Sequence, residues 1–152
     1  MKLKKIFLLL IILIIVGCSK NELDKQRFIE IADFNGYIVD NDMEKYKGYN
    51  YIKDVYYAFN REGMYLIQFI ELESDDYAKR FFDLNKEDFI KLKTSNSYTK
   101  TMNSSSYNLY HLETDDSYKL IIRGKNNVIY IDAPIDYINE IEEFLNELDL
   151  DY

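Results

Sequence analysis

Side chains that carry most enzyme chemistry are scarce in this chain. Its 152 residues include one histidine, His111, and one cysteine, Cys18. His111 lies beside Glu113 in an alternating stretch, where a histidine is either a general base or metal ligand, or a half-buried structural residue. Because no second histidine and no nearby cysteine complete a site, we favour the structural interpretation of His111. We therefore expect no metal site and no cofactor.

Acidic residues are plentiful, but their spacing predicts no catalytic pair. Adjacent acids occur at Asp75-Asp76, Asp115-Asp116 and Glu142-Glu143, among others, and neighbouring side chains on a helix or strand point in different directions. The chain also lacks the short motifs of serine hydrolases, zinc proteases and nucleotide-binding enzymes. We therefore expect a protein that is not an enzyme. The alternative is an enzyme acting on envelope polymers, in which Glu71, Glu73 and Glu113 gather across strands.

Tyrosine is unusually frequent. The chain has fifteen tyrosines and no tryptophan, and one group of tyrosines falls within twelve residues. This group is Tyr46, Tyr49, Tyr51, Tyr56 and Tyr57. Tyrosine combines a flat apolar ring with a polar tip, so it is enriched at binding surfaces. The group predicts a candidate binding surface for an envelope protein or glycan; the alternative is that these rings simply pack on a sheet.

The first eighteen residues have the layout of an export signal. Three lysines within the first five residues precede an uninterrupted apolar run at 6–16. With Gly17 and Cys18, this run would form roughly 20 Å of helix, which is shorter than the ~30 Å hydrocarbon core of a bilayer. A basic start followed by a short apolar run is typical of a signal peptide.

The apolar run ends in Ile15-Val16-Gly17-Cys18, which resembles the lipobox of bacterial lipoproteins. The resemblance implies cleavage between Gly17 and Cys18 and attachment of a diacylglycerol to the Cys18 thiol. Acyl chains such as palmitate would then anchor the protein in the cell membrane, facing outside the cytoplasm. The alternative is an uncleaved hydrophobic anchor with a free cysteine. In a Gram-negative host, Ser19 after the cysteine would favour the outer membrane.

Removal of the leader changes the charge of the protein. The whole chain carries −8, and removal of 1–17 takes three lysines and no acids, which leaves 16 basic and 27 acidic residues, or −11. This balance argues against a nucleic-acid partner, whose phosphates attract Lys and Arg. It predicts that the domain stands off anionic lipid headgroups. It would also suit a basic exported partner, so a protective or inhibitory lipoprotein is a further alternative.

Sequence patterns divide the remainder into a short polar tether at 18–22 and a single domain at 23–152. Hydrophobic periodicity predicts helices near 23–35, 74–92 and 134–148, with a break in the second at 85–88. Alternation and β-rich composition predict strands at 37–39, 55–60, 64–72, 107–113, 118–123 and 128–132. The polar segment 94–106 is either a loop or an edge strand.

The predicted class is α+β, a mainly antiparallel sheet with helices packed on one face. The order of the elements is also compatible with a duplicated α-β-β-β unit. This layout resembles the small surface lipoproteins of low-GC Gram-positive bacteria, which implies a location and no particular activity. We expect a binding module at the cell envelope, held to the membrane through Cys18.

Overall fold

The computed structural model describes residues 23–105, 107–150 and 152. The predicted signal peptide at 1–17, the tether at 18–22 and the lipidation site at Cys18 lie outside these residues. The helices described are α1 (Lys25–Phe34), α2 (Asp75–Lys91) and α3 (Ile138–Glu147), with 3-10 turns at Met43–Tyr46 and Ile135–Tyr137. The strands are β1 (Ile38–Asn41), β2 (Ile52–Phe59), β3 (Leu66–Leu72), β4 (Tyr98–Asn103), β5 (Tyr107–Glu113), β6 (Ser117–Gly124) and β7 (Asn127–Pro134).

All of these strands form one antiparallel sheet in the order β1-β2-β3-β7-β6-β5-β4. Two meanders, β1 to β3 and β4 to β7, meet where β3 pairs with β7, and Phe69 lies opposite Ile129 at this junction. Neighbouring strands within each meander are adjacent in sequence, which favours antiparallel pairing through short connections. The predicted α+β class and antiparallel sheet are confirmed.

The helices pack on both faces of the sheet, which corrects the expectation that they share one face. In β3, Phe69 joins the core that contains Phe28 of α1 and Phe144 of α3. Its neighbour Ile70 joins the core that contains Phe82 of α2. Central strands that are apolar on both sides expose a hydrophobic surface unless each side is covered, so helices are needed on both.

The two meanders are not copies of one helix-plus-strands unit. A repeat centred on the antiparallel β3–β7 pair would have its twofold axis perpendicular to the sheet, which would place α1 and α2 on the same face. Instead α1 packs Phe28 against Phe144 with ring centroids 5.6 Å apart, and α2 places Phe82 and Phe89 on the opposite face. The duplicated α-β-β-β unit is therefore not found in the described residues.

Two local ambiguities of the sequence are resolved. α2 continues through the predicted break at 85–88, because Phe82 and Phe89 are buried two turns apart on the same side of the helix and hold both halves on the sheet. The Ser74 side chain accepts a hydrogen bond from the backbone N–H of Tyr77 and caps this helix, as expected. The segment 94–106 contains the edge strand β4, which pairs with β5.

The opposite ends of the sheet carry different features. One end of the sheet, which we call the Leu23 end, holds the start of the described chain. There the carbonyl of Leu23 accepts a hydrogen bond from the side chain of Asn127, at the start of β7. The opposite end, which we call the hairpin end, carries the β2–β3 turn around Gly63. Because β3 has seven residues, the two ends are separated by roughly 20 Å along this strand.

Candidate functional site

The structure divides the five predicted tyrosines between the two faces of the sheet. Tyr57 lies on the α2 face, and its hydroxyl is 2.6 Å from the hydroxyl of Tyr46. Tyr56 faces the other side, where Nζ of Lys25 lies 5.7 Å from its ring centroid. Because successive strand residues point to opposite faces, Tyr56 does not join the other four.

The remaining rings continue to Tyr77, which sequence reasoning missed. Ring centroids are 6.2 Å apart for Tyr46 and Tyr49 and 5.7 Å apart for Tyr49 and Tyr51. The rings of Tyr51 and Tyr77 are stacked, with centroids 5.7 Å apart and planes inclined by 28°. The N-cap at Ser74 predicted that Tyr77 lies in the first turn of α2. The sequence did not predict that Tyr77 lies close to Tyr51, because this contact depends on the pairing of β2 with β3.

We call Tyr49, Tyr51 and Tyr77 the tyrosine surface. Tyr49 is 50% exposed and Tyr77 is 43% exposed, and Tyr51 is half-buried between them. This surface lies at the Leu23 end, because the backbone N–H of Glu73, just after β3, donates to the carbonyl of Tyr51. Tyr57 belongs to the packed interior instead, and burial raises the pKa of its hydroxyl.

An open cleft of about 190 Å³ lies at the hairpin end. It is formed by the residues that follow α1, the β2–β3 turn and the residues that begin α3. The lining residues are Asn35, Gly36, Tyr37, Asn60, Arg61, Glu62, Tyr137 and Glu140. Sequence reasoning identified Asn35-Gly36 and the turn at 61–63 as chain reversals only, so this cleft was not predicted.

Side-chain and backbone contacts fix the polar groups of the cleft. Gly36 has a φ of +77°, and its carbonyl accepts a 3.0 Å hydrogen bond from Nε of Arg61. A Cβ at position 36 would clash with the guanidinium group of Arg61, so only glycine leaves room for this arrangement. The Tyr137 hydroxyl donates to Oε2 of Glu62 at 3.2 Å. The cleft therefore presents a guanidinium and a carboxylate in defined positions.

A pair of buried tyrosines supports the cleft wall. The hydroxyls of Tyr37 and Tyr65 are 2.6 Å apart. Burial raises the pKa of Tyr37 to about 12, with the hydrogen bond to Tyr65 acting against burial and the charge of Glu140 adding to it. The Tyr37 hydroxyl is therefore neutral at physiological pH and acts only as a hydrogen-bonding group.

Three large apolar side chains at the hairpin end are exposed to solvent. Phe34 is 85% exposed, Ile38 is 62% exposed and Met64 is 56% exposed. Ile38 points to the α2 face of the sheet, because it pairs with Phe59, which packs in the α2-face core. Each of the three lies within two residues of a residue that lines the cleft. Side chains of this size are usually buried, so their grouping at one end of the molecule marks that end as a candidate contact surface.

The carboxylates named for the enzyme alternative do not gather at one place, because Glu71 and Glu73 lie at the Leu23 end and Glu113 lies at the hairpin end. Glu71 lies at the Leu23 end, where its hydrogen bond from Lys53 is the main cause of its lowered pKa. Glu113 ends β5 at the hairpin end, and burial raises its pKa. The acids of the cleft, Glu62 and Glu140, are both exposed, whereas a general-acid carboxyl typically occupies an apolar pocket.

His111 is a packed ring in the core beneath α3. Its ring centroid lies 4.7 Å from that of Tyr118 and 5.7 Å from that of Tyr98. Nε2 is 3.1 Å from Oε1 of Glu113 but has no hydrogen-bond partner among the described residues. Burial lowers the pKa of His111 to about 4, and the charge of Lys100 acts in the same direction. The ring is therefore neutral at physiological pH.

Within residues 23–105, 107–150 and 152, no group of three His, Cys, Asp or Glu side chains could hold a metal ion. None of the helices in this part of the chain is long and apolar enough to cross a bilayer. The chain matches no protein-family model, no curated protein and no solved structure.

Proposed function

We propose that this chain is a lipoprotein anchored through Cys18 to the outer side of the cell membrane, and that its domain binds another exported protein at the hairpin end. The contact surface consists of the cleft together with Phe34 and Met64. The anchor is supported by the leader, which combines a basic start, a short apolar run and a lipobox ending at Cys18.

The observation that carries the binding proposal is that the exposed side chains of Phe34 and Met64 lie within two residues of residues that line an open cleft. Single exposed apolar residues are common on soluble proteins, but a group bordering a concavity is typical of an interface. Phenylalanine, methionine and arginine are enriched at the centres of protein interfaces, and Phe34, Met64 and Arg61 supply all three here. A thioether side chain suits a protein partner better than a glycan.

The charge around the cleft favours a basic partner. Glu62 and Glu140 line the cleft, and Asp33 lies two residues before its first lining residue. The segment 126–152, which contains α3, has eight acidic residues and no lysine or arginine. Complementary charge accelerates association and discriminates against acidic competitors. A basic exported protein would be held by the apolar residues and selected by this charge.

Photo-cross-linking in the native host tests the binding proposal. The photoreactive residue benzoylphenylalanine replaces Phe34 in one variant and Leu84 in the control, because Leu84 is 64% exposed but lies on α2, on the opposite face. We expect a discrete adduct with a basic exported protein from position 34 only, weakened by added salt. The same adducts from both positions, or none from position 34, would contradict the proposal.

Metabolic labelling tests the anchor separately. We expect the full chain to incorporate palmitate and to remain with the membrane fraction, because two acyl chains hold a protein stably at a bilayer. Cys18→Ala should abolish the label and prevent anchoring. Labelling that persists in Cys18→Ala, or an unlabelled wild-type chain, would reject lipidation at Cys18.

A further inference from the structure

We propose that the tyrosine surface rests in the headgroup region of the membrane that holds the anchor, so that the hairpin-end cleft points away from the bilayer. This inference rests on the proposed anchor at Cys18. In this orientation Tyr49, Tyr51 and Tyr77 contact lipid, and the domain takes one fixed orientation on the membrane.

The length of the tether and the place where it joins the domain restrict the orientation. Five residue steps separate Cys18 from Leu23, so the tether spans at most about 18 Å even when fully extended. Leu23 is buried and bonded to Asn127 at the start of β7, so the chain reaches the domain at the Leu23 end. The tether therefore keeps this end close to the bilayer, and the hairpin end lies roughly 20 Å further along the sheet.

The chemistry of the tyrosine surface suits the boundary between headgroups and acyl chains. Tyrosine rings are enriched at membrane interfaces because the ring enters the apolar boundary and the hydroxyl stays hydrated. Tyr51 and Tyr77 are stacked and Tyr49 contacts the Tyr51 ring, so the rings form one continuous patch. The three contacting rings therefore have the chemistry that suits a lipid contact, and they lie at the end of the domain that the tether joins.

Ion pairs beside Tyr49 and Tyr51 lessen the repulsion from anionic lipid headgroups that the net charge of the domain predicts. The lysines in the segments flanking Tyr49 and Tyr51 are each paired with an acid: Lys45 with Asp42, Lys47 with Glu44 and Lys53 with Glu71. These pairs reduce the charge beside Tyr49 and Tyr51. Glu73, Asp75 and Asp76 lie beside Tyr77, where Asp75 is paired with Arg123. The charged residues of the segment 126–152 are all acidic, and they contribute strongly to the charge of −11. Because this segment includes α3 on the other face of the sheet, the acidic surface can turn from anionic lipids while the tyrosine surface meets them.

Fluorescence quenching by brominated lipids tests the orientation, and the absence of tryptophan makes any introduced tryptophan a clean reporter. The full-length lipidated chain is reconstituted into phosphatidylcholine vesicles with a minor share of phosphatidylglycerol, with and without brominated acyl chains. Tyr49→Trp and Tyr77→Trp report on the tyrosine surface. Tyr98→Trp is the matched control, because Tyr98 is a 55% exposed tyrosine at the start of β4, at the hairpin end of the sheet.

We expect brominated vesicles to remove roughly half of the emission of Tyr49→Trp and Tyr77→Trp, because residues at the interface lie within reach of the acyl boundary. The emission of Tyr98→Trp should not change. Equal quenching at all three positions, or quenching of Tyr98→Trp alone, would overturn the orientation. Circular dichroism confirms that each variant is folded.

Flotation of the same vesicles separates failure of the orientation from failure of the anchor. A chain that floats with the vesicles but shows no quenching at positions 49 and 77 is anchored and stands off the bilayer, which rejects this inference and leaves the anchor intact. A chain that does not float rejects the anchor, and this inference with it. In the Cys18→Ala form of Tyr49→Trp, we expect flotation and quenching to be lost together.

Discussion

The side-chain amide of Asn127 donates a 2.7 Å hydrogen bond to the backbone carbonyl of Leu23. This contact joins the first described residue to a strand that is paired on both sides, 104 positions later in the chain. It fixes the end of the sheet at which any anchor must arrive. The tyrosine surface shares that end with Leu23, and the cleft lies at the other.

Arg123 should be a major determinant of stability. Its side chain is 2% exposed, and it pairs with Asp75 and donates to Asn108 at 2.8 Å and to the carbonyl of Ser105 at 3.1 Å. Removing one partner from a buried polar network leaves the other groups unsatisfied. We expect Arg123→Met to lower the free energy of unfolding by about 3 kcal/mol, measured by chemical denaturation.

Asp75→Asn is the control for Arg123. The Asp75 side chain is 58% exposed, and asparagine keeps an oxygen that can accept from Arg123, so the cost should be smaller than that of Arg123→Met. If Asp75→Asn were as destabilising as Arg123→Met, the ion pair rather than the buried hydrogen bonds of Arg123 would be the source of stability.

His111 should make the fold less stable in mild acid. Its pKa is about 4 in the folded protein and near 6.5 in the unfolded chain, so the unfolded state binds more protons between these values. Stability is therefore fully present above about pH 6.5 and falls as the pH is lowered towards 4. For this group alone, we expect a loss of about 2 kcal/mol between about pH 7.5 and about pH 5.

Other groups titrate in the same range, so the comparison must be made with a variant. Glu113, beside His111, has a raised pKa and acts in the opposite direction, because its protonation favours the folded state. His111→Phe keeps a ring between Tyr98 and Tyr118 and removes the titration. Denaturation curves should show a shallower pH dependence for His111→Phe than for the wild type. Identical slopes would show that His111 is not the cause.

Gly36 and Gly63 should differ in their effect on binding but not on stability. Both have positive φ, so an alanine at either position costs about 1–2 kcal/mol of backbone strain. A Cβ at Gly63 meets no atom within 4 Å, whereas one at Gly36 displaces the flexible Arg61 guanidinium from the cleft. We expect similar losses in denaturation midpoint for both variants, and loss of the position-34 cross-link for Gly36→Ala alone. Loss of the cross-link in both would indicate a general effect of instability.

Local patterns determined most of the fold. The alternation of residues predicted the β5–β7 meander, and Ser74 and the turn around Gly63 marked the start of α2 and the β2–β3 hairpin. These patterns do not predict which face of the sheet each helix covers, because that depends on the path of the loops that connect each helix to the strands. Consecutive apolar residues in β3, such as Phe69 and Ile70, indicate that both faces of the sheet must be covered by other elements, and these two residues lie in different cores.

The candidate surfaces were less accessible from the sequence. Tyr51 and Tyr77 are 26 positions apart, and their stacking follows from the pairing of Ile52 with Leu72 at the ends of β2 and β3. The cleft requires the close approach of three chain segments that no local pattern connects. Conversely, the leader is described by sequence alone, because Cys18 lies outside the described residues.

Mass spectrometry of the N-terminal peptide tests the central claim, that the domain is held at the membrane through Cys18. Trypsin cuts after Lys5 and Lys20, so the mature lipoprotein should release peptide 18–20 carrying a diacylglycerol on the Cys18 sulfur. Cys18→Ala should not release this modified peptide. Recovery of peptide 6–20 with a free thiol as the main product from the wild-type chain would contradict both processing and anchoring.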